Sequence, residues 1–314
     1  MARGAERGVI VLAFAAMYLV GGSVFLGQRV AMHGGLTPFL TSGVRMAIAG
    51  AILLAWARAR GHRVAPRTAW RDIAISGTLL FVGGAALSML ASQTLDSGLI
   101  ALITATTPFW ITLGAAALPG GERPSSLGAL GIGLGFVGLV IVVAPTVHAS
   151  GGAPLAIAAA AGSVVAWAAG SVWARHRLRG LPAMTVASHQ MLCGAVPLIA
   201  IGVGRGELAT LAPTGPGVLA LGYLIVFGNL ITYQAFVFLM SRAPASTVAT
   251  YAFVNPIVAL ALGAWLAGER LPTHGALGAL VLLAGVVLAH LAQVTRTRAA
   301  ALPQPQPQPQ GALS

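Results

Sequence analysis

The sequence predicts an all-helical membrane protein with ten transmembrane helices, arranged as two inverted five-helix repeats with both termini on the cytoplasmic side. Three observations predict this fold: the apolar composition, apolar stretches of spanning length, and an internal repeat. Charged residues make up 8% of the 314 residues and hydrophobic residues 57%, against roughly 25% and 45–50% in soluble domains. Because so little charge cannot cover this much apolar surface in water, we expect the chain to lie in a bilayer.

Apolar segments of about 20 residues, each long enough to span a hydrocarbon core of ~30 Å, recur along the whole sequence. The first stays apolar to about Leu26 and shows no clear cleavage site after Val20, so it is interpreted as a retained helix and not as a signal peptide. The PQPQPQPQ run at Pro303–Gln310 predicts a disordered tail over 299–314. The predicted spans are 9–28, 38–57, 72–92, 97–118, 126–144, 153–173, 183–203, 217–239, 245–267 and 274–292.

An internal repeat relates Asp96–Val143 to Pro244–Leu291. Pro108 aligns with Pro256, and the Gly-Glu-Arg turn at 121–123 aligns with a second one at 268–270. The repeat predicts a first unit over 8–145 and a second over 154–293. Because five is an odd number, a second five-helix unit that follows directly crosses the membrane in the opposite sense. Paired inverted repeats are typical of secondary transporters.

The basic residues are all arginines, and their distribution predicts the orientation. If the N-terminus lies inside, the opposite side carries only Arg29, Arg205 and Arg270, while Arg45 lies inside a helix. An excess of arginine on the cytoplasmic side is the positive-inside rule, and it argues against a nucleic-acid partner for the net charge of +12. The predicted cytoplasmic arginines are Arg3, Arg7, Arg58, Arg60, Arg63, Arg67, Arg71, Arg123, Arg175, Arg177, Arg179, Arg242, Arg296 and Arg298.

Two stretches resemble a known family. SRAPASTVATYAFVNPIVALALGAWLAGERL (241–271) resembles the ninth helix of the EamA branch of the drug/metabolite transporter superfamily. LDSGLIALITATTPFWITL (95–113), with Gly-Glu-Arg shortly after it, resembles the fourth. Gly21-Gly22-Ser23 stands where relatives commonly have a Trp-Gly-Ser type motif, although the Trp is absent. The resemblance implies a ten-helix inner-membrane transporter, usually an exporter of amino acids or other small metabolites.

Polar and aromatic residues within the apolar segments are the candidate substrate-binding residues, because polar groups in hydrocarbon are costly unless they serve a function. Asn229 and Tyr233 are four residues apart and share one helix face, as do Tyr251 and Asn255. These two faces could line one cavity. The alternative is hydrogen bonding between helices, with Asn255 also satisfying a carbonyl freed by Pro256.

Further candidates lie near the middle of other segments. Tyr18 and Trp167 lie away from the interfacial positions that Tyr and Trp usually occupy, so we expect them to line the cavity. Arg45 is charged and lies well inside a helix, and the repeat places His189 at the matching position. Both could attract an anionic or zwitterionic solute. The alternative is that Arg45 snorkels or ties its helix to a neighbouring carbonyl.

Proline positions predict where the helices bend. Pro108 and Pro256 interrupt hydrogen bonding at matched depths in helices of opposite orientation, so we expect them to act as hinges beside the cavity. Thr104, Thr106 and Thr107 precede Pro108, and threonines at such positions usually bond to their own helix.

The sequence contains no metal-ligand cluster, nucleophile motif or mid-helix carboxylate pair, so we expect no enzyme activity, no metal and no cofactor. The favoured function is export of small polar metabolites across the inner membrane by a monomer whose partners are a small-molecule substrate and the bilayer. The alternatives are import or exchange of sugar-like or nucleotide-linked solutes, or drug export.

Overall fold

The structure is a computed structural model that describes residues 2–118, 124–149, 153–242, 251–269 and 273–300. These residues form helices and connecting turns, with no strand among them. The helices are numbered here in chain order, and where one helix changes its hydrogen bonding the pieces are given separately. They are α1 (Ala2–Ala15, Ala16–Val20, Gly21–His33), α2 (Pro38–Ala59), α3 (Trp70–Gly77, Thr78–Ala86, Leu87–Ala91), α4 (Ser97–Thr104, Thr107–Ala116), α5 (Ser126–Ala149), α6 (Ala153–Arg177), α7 (Ala183–Gly204), α8 (Gly215–Tyr223, Leu224–Tyr233, Gln234–Arg242), α9 (Tyr251–Ala267) and α10 (Thr273–Ala300).

Within the described ranges, nine helices are long and apolar enough to cross a membrane, and α9 supplies a shorter apolar helix. The sequence prediction of membrane-spanning helices is therefore confirmed for nine spans. The beginning of the predicted ninth span, 245–250, and the first Gly-Glu-Arg turn lie outside the described residues. α10 continues to Ala300, so residues 299–300 of the predicted tail are helical; the rest of that tail is also outside the described residues.

Several helices begin with proline in the first turn, where the missing N–H costs no hydrogen bond. Pro38 begins α2, Pro108 lies at the start of the second piece of α4, and α8 opens with Gly215 followed by Pro216. The Thr214 side chain accepts a hydrogen bond from Gly217 N and caps α8. These local signals position the helix starts that the apolar runs predict.

Three helix pairs form the most extensive contacts: α5 with α10, α3 with α6 and α2 with α7. α1 packs against α8 and α9, whereas α6 packs against α3 and α4. Glycines bring α5 and α10 into backbone contact: a Cβ atom on Gly138 would lie 2.2 Å from Leu282 N, and one on Gly285 would lie 2.3 Å from Gly135 N. Because lipid provides no hydrophobic drive between helices, such close approach is a principal source of their association.

Irregular backbone is concentrated in four helices. Among the described residues, π-helical segments occur in α1 (Ala16–Val20), α3 (Thr78–Ala86) and α8 (Leu224–Tyr233). α4 is interrupted at Ala105 and Thr106. π-helical bulges are rare and frequently lie at functional sites, so these segments indicate where to look for one.

Candidate functional site: a cavity between irregular helices

The irregular segments converge on one internal cavity of about 190 Å³. Met17 reaches it from the π segment of α1, Phe81 and Gly84 from that of α3, and Asn229 and Tyr233 from that of α8. Thr104 and Thr107 line it on either side of the break in α4. α2, α6, α7 and α9 complete the wall. The cavity therefore receives side chains from both halves of the chain.

Most of the sequence-predicted residues line this cavity: Arg45, Trp167, Asn229, Tyr233, Tyr251 and Asn255. Tyr18 and His189 are not part of its wall. Tyr18 packs instead in a cluster with Phe14, Met17 and Tyr251. His189 is 6% exposed, its Nδ1 lies 2.7 Å from Thr185 O, and its ring contacts Trp70.

The pair Asn229 and Tyr233 holds helices together as well as lining the cavity. Tyr233 OH donates to Gln190 Oε1 at 3.2 Å, and Gln190 Nε2 donates to Ser76 Oγ at 2.8 Å. Asn229 Nδ2 lies 3.5 Å from Arg45 O. α8 is thus fixed to α7 and α2 by polar contacts, and the two interpretations of these residues are compatible.

The Asn255 side chain forms its hydrogen bonds with α1, a neighbouring helix. In the amide orientation that satisfies both ends, its Nδ2 donates to Met17 O and Tyr18 O, each 3.1 Å away. Both carbonyls belong to the π segment of α1. These contacts are hydrogen bonds between helices, as in the alternative interpretation of the sequence, and they are made with α1 rather than with a carbonyl freed by Pro256. Gly21 makes the approach possible, since a Cβ there would lie 3.0 Å from the nearer end of the Asn255 amide.

Aromatic rings form one wall of the cavity. Tyr233 is central to it, with its ring centroid 5.9 Å from that of Phe81, 6.5 Å from Trp167 and 6.4 Å from Phe236. Phe236 in turn contacts Tyr251 edge-on at 6.0 Å. Edge-to-face contacts of this kind stabilise an aromatic cluster beyond its buried area, so this wall is preorganised.

The predicted hinges differ from each other in the structure. Pro108 lies directly after the break in α4, whereas Pro256 lies inside the continuous helix α9. The threonines before Pro108 bond to their own helix as expected: Thr104 Oγ1 donates to Ile100 O at 2.8 Å, and Thr106 Oγ1 to Ile103 O at 2.7 Å. These hydroxyls donate hydrogen bonds to backbone carbonyl oxygens near the break.

Sequence reasoning missed Gln28, Phe81 and Met191 as cavity residues. Gln28 is a polar residue at the end of the first predicted span, and its Oε1 accepts a hydrogen bond from Ser88 Oγ at 3.0 Å. That polarity was an available signal. Phe81 and Met191 are apolar residues in apolar helices, and no pattern in the sequence distinguishes them from lipid-facing neighbours.

A polar network lies at one face of the molecule, together with the loops at 34–37, 92–96 and 205–214. Arg29 forms ion pairs with Asp96 and with Glu269, in the latter case with Nε 3.4 Å from Oε1. The Glu269 carboxylate also accepts hydrogen bonds from Ser97 N at 3.0 Å and Ser97 Oγ at 2.9 Å. We call this group, Arg29, Asp96, Ser97 and Glu269, the polar lock. It joins α1, α4 and the end of α9.

A second carboxylate caps a helix at the same face. Glu207 is 7% exposed and accepts hydrogen bonds from Phe39 N at 3.1 Å and Leu40 N at 2.8 Å. A carboxylate at a helix N-terminus satisfies free N–H groups and complements the helix dipole. The loops at this face are also joined directly, since Ala212 N donates to Gly35 O at 3.0 Å.

The opposite face carries most of the described arginines. Arg177 Nε lies 3.4 Å from Asp72 Oδ1 there, and Ala65, Ile73 and Leu178 pack beneath the loops. We call the two surfaces the arginine-poor face, which holds the polar lock, and the arginine-rich face.

The fold describes a polytopic membrane protein with an internal cavity lined by apolar, aromatic and a few polar side chains, and the comparisons identify its class. A model of the EamA-like transporter family matches residues 7–144 and again 154–291. The chain belongs to this family. Among its relatives, the uncharacterised inner membrane transporter YedA of Escherichia coli K12 is 33% identical over 279 residues, covering 88% of this chain and 89% of YedA.

Two more distant relatives also match over most of this chain, and one of them is longer than it. The uncharacterised transporter YvbV of Bacillus subtilis is 25% identical and covers 81% of this chain and 82% of its own length. The WAT1-related chloroplastic protein At3g02690 of Arabidopsis thaliana is 24% identical and covers 82% of this chain and 63% of its own. A solved crystal structure at 22% identity superposes with a TM-score of 0.65, over 90% of this chain and 98% of that one. The protein is a multi-pass inner-membrane transporter.

Proposed function

We propose that this transporter exports small polar metabolites, amino acids or related compounds, by alternating access through the cavity. The observation that carries the proposal is a single cavity lined by polar and aromatic side chains from both halves and surrounded by the irregular segments of α1, α3, α4 and α8. Substrate sites of secondary transporters lie at the interface of two repeats and are formed by discontinuous helices.

The helix contacts support an organisation as two inverted five-helix units. If each helix of the first unit is matched with the helix five places later, α1 corresponds to α6, α3 to α8 and α4 to α9. The contacts of α1 with α8 and α9 then correspond to those of α6 with α3 and α4. The pairs α2–α7 and α5–α10 convert into themselves. The π segments of α3 and α8 are also related in this way. In this proposal ten helices cross the membrane, and the arginine-rich face, with both termini, is cytoplasmic.

The size of the cavity favours small solutes. At about 190 Å³ it is smaller than the pockets of roughly 300–1,000 Å³ that take drug-sized ligands. Arg45 is the cation in its lining, whereas a nucleotide-linked solute would bring several phosphate charges. These properties favour metabolite transport over drug export or nucleotide-sugar exchange.

Alternating access requires that one face closes while the other opens. We propose that the polar lock keeps the arginine-poor face closed in this conformation, which is then the cytoplasm-facing half of the cycle. Because the cavity is complete within one chain, we propose that the monomer is sufficient.

The proposal is tested by comparing metabolites in the medium of cells that express the wild type with those of cells expressing Tyr251→Arg at equal level. The substitution places a charged, longer side chain in the cavity wall. Leu208→Arg is the matched control, since Leu208 is 60% exposed and outside the membrane spans. We expect a small set of amino acids or related metabolites to be enriched with the wild type and with Leu208→Arg only. Equal media across all three strains would contradict export.

A further inference from the structure

Arg45 is a buried cation in the cavity wall. Its side chain belongs to the lining, and the residue is 3% exposed. It lies seven residues beyond Pro38, roughly 11 Å along the helix at 1.5 Å per residue. Its Nε and Nη1 atoms are buried and reach no hydrogen-bond acceptor among the described residues. Buried charges in proteins are normally paired, so this guanidinium lacks the partner it should have.

None of the four carboxylates whose side chains the structure describes is placed to neutralise Arg45. Asp72 pairs with Arg177 at the arginine-rich face. Asp96 and Glu269 pair with Arg29 in the polar lock, and Glu207 caps α2. Because each of these carboxylates is engaged at a face, the cavity carries an uncompensated positive charge.

The side chains around Arg45 add hydrogen-bond donors. Ser42 Oγ lies 3.3 Å from Met89 Sδ, which places the turn of α2 that carries Arg45 beside the end of α3. There the Ser88 hydroxyl donates to Gln28 Oε1. Since the oxygen of Gln28 is occupied, its Nε2 donor end is the one available to a ligand. An arginine fork with a neighbouring amide donor is suited to a carboxylate.

The repeat-matched position does not provide a second site. His189 contacts Thr185 O and Trp70, and it is outside the cavity lining. The charge is therefore found on one wall only, while the wall formed by Trp167, Tyr233 and Phe236 is aromatic. A ligand that matches both walls has an anionic group at one end and an apolar body at the other.

We infer that Arg45 binds the carboxylate of the transported solute, and that the substrate is a small monocarboxylate with an apolar or aromatic body packed against Trp167 and Tyr233. This inference rests on the proposed export function and specifies its substrate class. The carboxylate supplies the counter-charge that Arg45 lacks, so the loaded cavity is closer to neutral than the empty one. Zwitterionic amino acids and simple monocarboxylates both present this group.

The test uses the purified full chain in proteoliposomes loaded with equal concentrations of L-phenylalanine, L-phenylalaninamide, phenylacetate and phenylacetamide. Release of each compound is measured by mass spectrometry and corrected with protein-free liposomes. Each carboxylate differs from its amide by the charged group alone, and comparing the two pairs shows whether the ammonium group is also required. We expect the wild type to release at least one of the two carboxylates tenfold or more faster than its amide.

Arg45→Gln is expected to reduce that ratio to about one, and Arg45→Lys to retain part of it. Arg205→Gln, at an arginine on the arginine-poor face, is the control that leaves the ratio unchanged. A monodisperse peak in size-exclusion chromatography establishes that each variant is folded. If Arg45→Gln does not fold, the wild-type ratio of carboxylate release to amide release decides the question of carboxylate recognition alone. Equal release of carboxylates and amides by the wild type, or full selectivity in folded Arg45→Gln, would overturn carboxylate recognition while export stands. Release of none of the four compounds by the wild type would overturn the inferred substrate class, whereas the export proposal is decided separately by the comparison of media from wild-type and Tyr251→Arg cells.

Discussion

The α5–α10 pair and the group formed by α1, α3, α4 and α8 show opposite ways of building a membrane helix. α5 and α10 are uninterrupted over Ser126–Ala149 and Thr273–Ala300, and glycines bring their backbones into contact. The other four contain π segments or a break, and these irregular parts face the cavity. We call the first the glycine pair and the second the irregular ring.

This difference indicates a division of roles. Backbones in contact leave no space for a change in packing, so the glycine pair has one arrangement and acts as a scaffold. A π segment or a break has carbonyls without their usual helical partners, and side chains such as Asn255 satisfy them from a neighbouring helix. Such hydrogen bonds between helices can be broken and replaced by others when the helices move. We expect transport to depend on the irregular ring, and folding on the glycine pair.

The largest effect is expected in the glycine pair. Gly138→Leu places a side chain where a Cβ alone would lie 2.2 Å from Leu282 N, so the two helices must separate. We expect the yield of monodisperse protein in size-exclusion chromatography to fall tenfold or more. Gly133→Leu, five residues earlier in the same helix, is the control, because nothing lies within 4 Å of its Cβ position. Equal yields for the two variants would contradict the scaffold role.

The polar lock is expected to give the next largest effect. Glu269→Gln removes the charge that pairs with Arg29 and accepts from Ser97, and hydrogen bonds to charged groups contribute about 1.5–3 kcal/mol each. We expect a single cysteine at Ser163, in a Cys193→Ser background, to be labelled tenfold or more faster by an impermeant thiol reagent from the arginine-poor face.

Glu207→Gln is the matched control for the lock. Glu207 caps α2 at the same face, with no ion pair among the described residues. Its substitution should lower the melting temperature and leave the labelling rate at Ser163 within about twofold of the wild type. Equal labelling rates in Glu269→Gln and the wild type would mean that the network is structural and does not control access.

Substituting the two prolines tests whether transport depends on a break in the helix or only on the presence of a proline. Pro108→Ala allows α4 to close its interruption at Ala105–Thr106, whereas Pro256→Ala changes a helix that is already continuous. We expect export by Pro108→Ala to fall about tenfold and export by Pro256→Ala to stay within about twofold. Wild-type rates in both variants would reject the hinge hypothesis.

The smallest effect is expected at Tyr233. Tyr233→Phe keeps the aromatic wall and removes the hydrogen bond to Gln190, at a cost of about 1 kcal/mol. We expect a fall of a few degrees in melting temperature and export within about threefold of wild type. A tenfold loss of export with unchanged melting temperature would instead assign the hydroxyl to the substrate.

The sequence predicted what depends on local pattern. Spans of apolar residues and the threonine bonds before Pro108 followed from composition and local spacing, as did the six of the eight predicted residues that line the cavity. The π segments did not, because Thr78–Ala86 and Leu224–Tyr233 read as ordinary apolar helix and their form depends on packing. The role of Glu269 was not predicted: the sequence shows it only as part of the repeated Gly-Glu-Arg turn, and the N-terminus of α4 with which it bonds lies far away in the sequence.

The most direct test of this account is a pair of spin-label distances measured by double electron–electron resonance in lipid nanodiscs, in a Cys193→Ser background. One pair, at Thr94 and Leu208, spans the arginine-poor face beside the polar lock. The other, at the exposed residues Leu130 and Leu277, spans the glycine pair. We predict that a transported solute populates a second, longer distance at Thr94–Leu208 and leaves Leu130–Leu277 unchanged. A single unchanged distance at Thr94–Leu208, or an equal shift in both pairs, would contradict a mobile ring on a rigid scaffold.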